Sequence, residues 1–319
     1  MAGWASRVRG PVMLLAALAA GPAVADWTLE HESSFASGRG IDPAYWRLET
    51  GFLRNREDQY YSDANAQVQG GVLRLEARRE EVPNAQWKAG SRDWRVARRS
   101  STYTSASLLA RKPLQYGRVE VVARTPSGAG VWPAIWLLHE GERLYGEIDV
   151  FEAVGKHPDT VFAGVHHGRE PRTRQHRNDS RVVPGFEGSW HTHTLEWTPG
   201  RIRVALDGQP WFSFDPQAAR LPDGADPLRQ PMRLRINLAL GGSWGGPIDD
   251  SRLPARFDIA SIRIWRWTPG AGDALPAPAA VPAAATVDGG AAASAAAPAP
   301  APAPTPGPAA GSGTMRWGR

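Results

Sequence analysis

Cysteine is absent from all 319 residues of the sequence. This absence excludes disulfide bonds, thiolate metal sites and lipid attachment through an N-terminal cysteine. A chain of this length can bury enough apolar surface to fold without covalent cross-links, so the lack of cysteine does not argue against an exported protein.

Long hydrophobic segments are also lacking. The apolar run near the N-terminus, Val12–Ala20, has nine residues, whereas a transmembrane helix needs about 20. It follows two arginines and precedes the small residues Ala23-Val24-Ala25. This order predicts a secretory signal peptide over residues 1–25, cleaved before Asp26, with a secreted or periplasmic location and no membrane association after cleavage.

Large apolar side chains are nearly missing from residue 270 onward, where alanine and proline dominate. Such a segment buries too little surface to offset the entropy lost on ordering, so we predict a disordered tail over residues 270–319. Residues 26–269 remain as one domain, a size that a single all-β domain reaches.

A strong net charge is missing as well. The formal charge is +5 at pH 7, and the basic residues are scattered. This distribution predicts no nucleic-acid partner, and we expect a monomer. The basic segments Arg98–Arg99 and Arg169–Arg181 are interpreted as solvated loops.

Helical periodicity is absent, and short segments of alternating apolar and polar residues take its place. The segments with this pattern are Gly71–Ala77, Gly117–Ala123, Thr194–Pro199, Ile202–Asp207, Met232–Leu240 and Ile259–Trp267. Asp207-Gly208 marks a hairpin turn, and the absence of a repeat of about 20 to 50 residues argues against a propeller. We predict an all-β sandwich of two packed antiparallel sheets.

Tryptophan is abundant, with 14 residues in the chain, 12 of them between Trp27 and Trp267. Some of these side chains must belong to the core. Aromatic faces also stack on the C–H faces of sugar rings, so an excess of tryptophan in an exported protein favours a carbohydrate ligand.

Three acids stand close together in the segment Gly146–Glu152. In a regular strand Glu147 and Asp149 share one face and Glu152 points to the other. One extra residue in a β-bulge corrects this parity and places all three carboxylates on one face. Because like charges crowded on a sheet repel and raise each other's pKa, acid–base chemistry explains the cluster better than a solvated strand does. A solvated acidic strand and a divalent-ion site remain alternatives at this point.

The segment Glu147–Glu152 resembles the signature Glu-x-Asp-x-x-Glu of glycoside hydrolase family 16, in the bulged form typical of its laminarinase branch. Other blocks extend the resemblance in the expected order and cover about Phe35 to Trp265. These blocks are Asn55–Ser62, Tyr103–Ala106, Gly130–Leu138, Val165–Gly168, Trp190–Thr192 and Asn237–Trp244.

This resemblance implies a β-sandwich of jelly-roll (concanavalin-like) type, with a cleft for substrate across its concave sheet. By matched position Glu147 is the nucleophile, Asp149 its assisting acid and Glu152 the acid/base. The positions implied to contact sugar are Asn55, Glu57, Trp132, Trp136, His166 and Trp244. No cofactor is required, and a structural calcium ion is implied in the region that matches Asp258.

Several residues leave alternatives open. Trp132 and Trp136 share one strand face, where they could pack in the core or stack on sugar. His166 is favoured over its neighbour His167 for the cleft, since only one of two adjacent side chains can face it. His191 and His193 could ligate a metal ion, but packed, hydrogen-bonded histidines are favoured because no third ligand is evident.

Other features depart from the family pattern. Many relatives carry Arg-Ala-Lys where this chain has Val122-Ala123-Arg124, and His167 stands where an aromatic residue is common. The segment Pro83–Arg99, with Trp87 and Trp94, has the character of a longer loop that lengthens or narrows the cleft.

The leading functional prediction is retaining endo-hydrolysis of a β-1,3-glucan, extending to mixed-linkage β-1,3-1,4-glucan. One alternative is hydrolysis or transglycosylation of another β-glycan by the same chemistry. A different class is a lectin-like sugar-binding domain, which has no need for three aligned acids.

Overall fold

The computed structural model describes residues 26–269. The predicted signal peptide and Ala/Pro-rich tail lie outside the described residues, and both stay predictions. The described part of the chain is built almost entirely from strands. In chain order these are β1 (Asp26–Ser34), β2 (Trp46–Leu48), β3 (Tyr60–Tyr61), β4 (Ala66–Gln69), β5 (Val72–Pro83), β6 (Ser100–Ser105), β7 (Ser107–Ala110), β8 (Gly117–Arg124), β9 (Val131–Leu138), β10 (Tyr145–Glu152), β11 (Thr160–Gly168), β12 (Gln175–Val182), β13 (Trp190–Thr198), β14 (Arg201–Leu206), β15 (Gln209–Phe214), β16 (Arg233–Leu240) and β17 (Ala255–Thr268).

Helices in the described residues are limited to single turns. They are the α-helices α1 (Trp94–Ala97) and α2 (Gly242–Gly245) and the 3-10 helices Asp63–Asn65, Pro216–Ala219, Pro227–Arg229 and Asp250–Arg252. Between residues 26 and 269, no helix has the length and apolar character that crossing a bilayer requires.

The strands form two sheets, as predicted. The larger sheet has the order β15-β14-β13-β8-β17-β5-β6-β3, with β1 also paired to β17 and β4 to β5. The smaller sheet has the order β12-β11-β10-β9-β16-β7-β2. Neighbouring strands are often far apart in sequence, and every pair is antiparallel except β3 with β6. This is the predicted jelly-roll sandwich.

The core lies between the two sheets and follows from the alternation of side chains along the strands. In β14 the apolar residues Ile202, Val204 and Leu206 are buried, and the residues between them are partly exposed. In β9 the inward residues Ile135 and Leu137 are fully buried. Since burying one such side chain contributes about 1.5–3 kcal/mol, this pattern holds the sheets face to face.

The Asp207-Gly208 turn joins β14 to β15, as predicted. Its two residues have φ angles of 50° and 75°. Two successive left-handed residues are typical of a type I′ turn, whose twist matches that of the flanking antiparallel strands.

The segment Arg169–Arg181 corrects a prediction. It was expected to be a solvated loop, yet residues 175–182 form β12, which pairs with β11 along its whole length. Because β12 is the edge strand of its sheet and most of its side chains are exposed, its sequence lacks the apolar alternation that marks a strand packed on a core.

Candidate active site

Strand β10 contains the β-bulge that the parity of its acids predicts. Against β11, Asp149 pairs with Gly164 and Glu152 pairs with Phe162. Three steps along β10 therefore match two steps along β11, and the register with β9 shifts between Asp149 and Phe151 as well. The extra residue brings Glu152 back onto the face of Glu147 and Asp149.

The two residues inside the bulge both belong to the core. Val150 and Phe151 are each 1% exposed. The Phe151 ring lies 4.2 Å from the His193 ring and 5.6 Å from the Phe186 ring, measured between centroids. Two apolar side chains thus point inward between acids that point outward, which is why the bulge is compatible with a tightly packed sheet.

A cavity of about 420 Å³ lies over the smaller sheet. Strands β9, β10, β11 and β16 contribute to it, together with the segment before β3 and with α2. The residues that line it are Leu53, Arg54, Asn55, Glu57, Trp132, Ala134, Trp136, Leu138, Tyr145, Glu147, Asp149, Glu152, His166, Pro171, Arg174, Asn178, Arg235, Asn237, Ser243 and Trp244. The structure therefore brings together all three predicted acids and all six predicted sugar-contacting residues.

Each acid has a distinct partner in this cavity. The Tyr145 hydroxyl donates a hydrogen bond to Oε2 of Glu147. Trp132 Nε1 donates to Oε1 of Glu152 at 2.9 Å. Nε2 of His166 lies 3.2 Å from Oδ2 of Asp149.

Burial is the main cause of the shifted pKa values of Asp149, Glu152 and His166. Burial, reinforced by the neighbouring Glu147 carboxylate, raises the pKa of Asp149 well above its ordinary value. Burial also raises the pKa of Glu152 well above its ordinary value, with the Asp149 charge acting in the same direction. Burial lowers the pKa of His166, which keeps its imidazole neutral. The pKa of Glu152 is thus shifted in the direction that a proton donor to a leaving oxygen requires.

Trp132 and Trp136 both line the cavity, and both also pack against protein groups. The Trp132 ring meets the Trp244 ring edge-on, with centroids 5.1 Å apart. Trp136 is 9% exposed and donates from Nε1 to Oδ1 of Asn237 at 2.7 Å. The guanidinium carbons of Arg54 and Arg235 each lie 5.2 Å from the Trp136 ring centroid. Trp136 is thus the more rigidly held of the two.

Glu57 lines the cavity but is mainly engaged with neighbouring protein groups. It is 3% exposed and accepts hydrogen bonds from Asn55 Nδ2 at 3.1 Å, Gln59 Nε2 at 2.7 Å and the Tyr61 hydroxyl at 3.0 Å. Asn55 itself has a φ angle of 53°, in the left-handed region that asparagine tolerates better than most residues. The geometry therefore points to Glu57 as the group that fixes the Asn55 side chain in the cleft.

The four histidines of β11 and β13 have different surroundings, and Nε2 of His193 is buried without a hydrogen-bond partner in the described residues, so this side chain is packed but not hydrogen-bonded there as expected. His166 lines the cavity, whereas His167 is 7% exposed and its ring lies 5.9 Å from Phe214 of the opposite sheet. His191 Nδ1 pairs with Asp207 at 2.7 Å, and burial lowers the pKa of His193 to about 3. Within residues 26–269 neither His191 nor His193 belongs to a cluster of three metal-ligating side chains.

Asp258 does not fit a calcium ion. Its carboxylate is 2% exposed and lies between Arg74, at 2.8 Å, and Arg124, at 2.7 Å. Burial acts to raise the pKa of Asp258, but the hydrogen bonds from the two arginines outweigh it and hold this pKa below its usual range. Because two guanidinium groups occupy the carboxylate oxygens, a calcium ion bound there would have to displace them. The calcium prediction thus gains no support from the neighbours of Asp258.

The segment Pro83–Arg99 does not line the cavity; it packs behind one wall of it. Arg98 donates from Nη1 to the carbonyl oxygen of Glu57 at 3.3 Å, and its guanidinium carbon lies 5.1 Å from the Phe52 ring centroid. The Trp94 ring also lies 6.1 Å from the Phe52 ring. This segment therefore supports the backbone that carries Asn55 and Glu57.

Several cavity residues were not predicted as site residues. The main ones are Arg54, Tyr145, Arg174, Arg235, Asn237 and Ser243. Tyr145 has the same parity as Glu147 and Asp149, so the alternation along β10 was a usable signal. Arg235 and Asn237 lie two residues apart on β16, so the same alternation places both on one face of that strand. Arg174 precedes the edge strand β12, where no periodicity distinguishes it from the other arginines nearby.

The family model described as glycosyl hydrolases family 16 matches residues 54–253. A beta-glucanase of Rhodothermus marinus is 35% identical over 266 residues, which cover 76% of this chain and 86% of that protein. The structure of the laminarinase from Rhodothermus marinus superposes with a TM-score of 0.63, at 35% identity, over 77% of this chain and all of that one. An endo-acting O-glycanase of the human gut microbiota superposes with a TM-score of 0.71, at 29% identity, over 75% of this chain and 91% of that one.

Proposed function

Since the chain belongs to family 16 of the glycosyl hydrolases, we propose that it hydrolyses β-1,3-glucan chains internally, with retention of the anomeric configuration. The observation that carries this proposal is the β-bulge at Val150–Phe151. It gathers Glu147, Asp149 and Glu152 on the face of β10 that lines the cavity. A domain that only binds sugar has no use for three crowded carboxyl groups, two of them with a strongly raised pKa.

The roles of the acids follow from their surroundings. Glu147 attacks the anomeric carbon while Glu152 protonates the glycosidic oxygen, so the glycosidic bond breaks as a glycosyl–Glu147 ester forms. Glu152, now a carboxylate, takes a proton from water as that water attacks the same carbon. The Glu147 carboxylate then leaves, and the product keeps the β configuration.

Glu152 is suited to the acid/base role by its raised pKa. The Trp132 indole donates to one of its oxygens, which leaves the other oxygen to carry the proton. Glu147 is suited to the nucleophilic role because the Tyr145 hydroxyl holds one carboxylate oxygen in place. The raised pKa of Tyr145, caused by burial and then by the Glu147 charge, keeps that hydroxyl a donor.

The substrate class is supported by the relatives and by the lining of the cavity. The Rhodothermus marinus proteins are described as a beta-glucanase and a laminarinase. Trp132 and Trp136 lie four residues apart on one face of β9, which suits contact with successive sugar rings.

A direct test is the release of reducing ends from laminarin, lichenan and agarose by the purified protein. We expect laminarin to be cleaved internally, with a rapid fall in chain length, and lichenan to a lesser extent. Glu147→Gln and Glu152→Gln should each lose activity and keep the wild-type circular dichroism spectrum. Full activity in either variant would contradict the assigned roles.

Proton NMR of the first product tests the stereochemistry. Retention requires the β-anomer to appear first, whereas an initial α-anomer would mean inversion. If laminarin is untouched while a mucin-type O-glycan is cleaved, the reaction stands and the substrate must be reassigned toward that of the gut O-glycanase.

We further propose that the protein acts after export, as a monomer and without a cofactor. The basic and apolar segment ahead of Asp26 supports export. Secretion of the full-length chain by a bacterial host, with an N-terminus at Asp26, would test the cleavage point. Light scattering of the mature protein would test the oligomeric state.

A further inference from the structure

The two ring nitrogens of His166 face different kinds of group. Nε2 lies 3.2 Å from Oδ2 of Asp149 and 3.9 Å from Oε1 of Glu147. On the opposite side of the ring, Nδ1 lies 3.2 Å from Nε of Arg174. An arginine N–H can only donate, so Nδ1 must accept. In a neutral imidazole the single ring proton therefore sits on Nε2, the nitrogen that faces Oδ2 of Asp149.

Arg174 also contacts the ring of Tyr145, whose hydroxyl donates a hydrogen bond to Glu147. Its guanidinium carbon lies 5.8 Å from the Tyr145 ring centroid. Its Nη1 donates to the carbonyl oxygen of Pro171 at 2.7 Å, which fixes the guanidinium above the cleft. One side chain thus contacts both Tyr145, which donates to Glu147, and His166, which lies beside Asp149.

The same contact argues against a metal ion at this site. Glu147, Asp149 and His166 each offer a ligand atom, and these atoms lie within 4.8 Å of one another. That spacing suits a divalent transition metal such as Zn²⁺. A metal on Nε2 would move the ring proton to Nδ1, which in metal sites is donated to an acceptor. Here Nδ1 faces the N–H of Arg174, a donor, so metal binding would set two N–H groups against each other.

We propose that Arg174 is a positioning residue that holds His166 in its Nε2–H tautomer, so that the imidazole N–H faces Asp149 beside the nucleophile and the ring does not bind a divalent metal. This role rests on the proposed function for its effect on catalysis. The tautomer itself does not depend on any substrate.

The first experiment therefore reads the tautomer directly. Imidazole ¹⁵N spectra of the full chain would be recorded at pH 7.5, with the His166 signals assigned by their loss in His166→Gln. We expect a pyridine-type Nδ1 and a protonated Nε2 in the wild type, and a shift toward the other tautomer or toward averaging in Arg174→Ala. A protonated Nδ1 in the wild type, or an unchanged spectrum in Arg174→Ala, would overturn the proposal.

The second experiment measures kcat and KM separately on laminarin. Loss of a residue that orients a functional group typically costs about 10- to 100-fold. We expect Arg174→Ala to lose that factor in kcat with KM changed by less than about threefold, since the bound sugar keeps its tryptophan contacts. Arg174→Lys, which still carries a donor, should recover most of the loss. Arg172→Ala is the matched control, because Arg172 stands on the same loop but does not line the cavity, and it should match the wild type.

The third experiment uses Zn²⁺ as the probe. Arg174→Glu replaces the donor at Nδ1 with an acceptor, which is the partner that a metal-ligating histidine prefers. We expect Zn²⁺ to bind Arg174→Glu at least tenfold more tightly than the wild type, measured by calorimetry, and His166→Gln in that background to abolish the gain. Equal Zn²⁺ affinity in Arg174→Glu and the wild type would count against the proposal.

These measurements test the proposed function and the role of Arg174 separately. If the wild type cleaves none of the β-glucans tried, the proposed function fails, while the ¹⁵N spectra and the Zn²⁺ titration still decide the role of Arg174. If laminarin is cleaved but Arg174→Ala retains full kcat, the function stands and the positioning role is wrong.

Discussion

The acid/base residue should make the protein less stable at neutral pH than a variant that lacks it. Glu152 is partly buried in the cavity wall beside Asp149 and Glu147, with one hydrogen bond from Trp132. Burial, followed by the Asp149 charge, raises its pKa well above the ordinary value. Ionising it at pH 7 therefore costs folding free energy, and Glu152→Gln removes this cost while it preserves the shape of the side chain.

The sign follows from proton linkage. The folded chain holds the Glu152 proton more tightly than the unfolded chain, whose glutamate pKa is about 4.3. Below that pH Glu152 is protonated in both the folded and the unfolded chain, so its raised pKa does not lower the free energy of unfolding. As the pH rises, the unfolded chain ionises first, so the wild type loses stability until the pH passes the folded-state pKa. Each pH unit between the two pKa values costs about 1.4 kcal/mol, which corresponds to a fall in Tm of roughly 3–6 °C for a domain of this size.

Differential scanning calorimetry between pH 4 and pH 8 tests this reasoning. Glu152→Gln should match the wild-type Tm at pH 4 and exceed it increasingly toward pH 7, while activity on laminarin falls by about 10²- to 10⁴-fold. The control is Glu142→Gln, an exposed position on the loop before β10, which should change neither activity nor the dependence of Tm on pH. A Tm for Glu152→Gln that is below the wild type at pH 7, or a difference independent of pH, would refute the argument.

Four further outcomes are expected. The Trp132 hydrogen bond to Glu152 opposes the rise in the Glu152 pKa that burial causes. Because Trp132→Phe removes this hydrogen bond, the basic limb of the plot of kcat/KM against pH should move to higher pH. An unchanged basic limb would show that Trp132 does not affect the Glu152 pKa. Asp258→Asn should lose about 1–3 kcal/mol in urea unfolding at pH 7, and the loss should shrink as the pH falls below the ordinary aspartate range, because the paired carboxylate has a lowered pKa and becomes protonated there. EDTA or calcium should leave the wild-type Tm unchanged, and a calcium-dependent Tm would revive the predicted metal site. Deletion of Val150 should keep measurable activity on laminarin, whereas deletion of both Val150 and Phe151 should abolish it.

The prediction from sequence was most specific for β10, because the proposed chemistry requires its three acids to lie on one face of the strand. Glu147, Asp149 and Glu152 can share one face only if the strand contains one extra residue, and the structure contains it between Asp149 and Phe151. The two-sheet architecture was predictable for a similar reason, because alternation in segments such as Ile202–Asp207 reflects one buried and one exposed face.

Prediction was least informative where a role depends on a partner that no local sequence pattern identifies. Arg174 gains its position from His166 across a β-hairpin, and nothing in its own neighbours signals this. Strand β12 owes its structure to pairing with β11 and not to a buried face, so its polar sequence had the appearance of a loop. The resemblance implied calcium in the region that matches Asp258, and its own neighbours in sequence do not reveal that Arg74 and Arg124 pair with its carboxylate.

The bulge links the packing of the core to the chemistry of the cleft. Val150 and Phe151 both point inward and are each 1% exposed, so the core gains an apolar side chain from the same insertion that realigns Glu152. Removal of Val150 leaves the order Glu147-Ile148-Asp149-Phe151-Glu152, which is a regular alternation with all three acids still on one face. It also removes a buried valine, at a cost of about 1.5–3 kcal/mol. Removal of both Val150 and Phe151 instead leaves Glu147-Ile148-Asp149-Glu152, in which regular alternation turns Glu152 toward the core and the site loses its acid. If the bulge serves only the placement of Glu152, the single deletion should therefore cost stability and spare the reaction, whereas the double deletion should lose both.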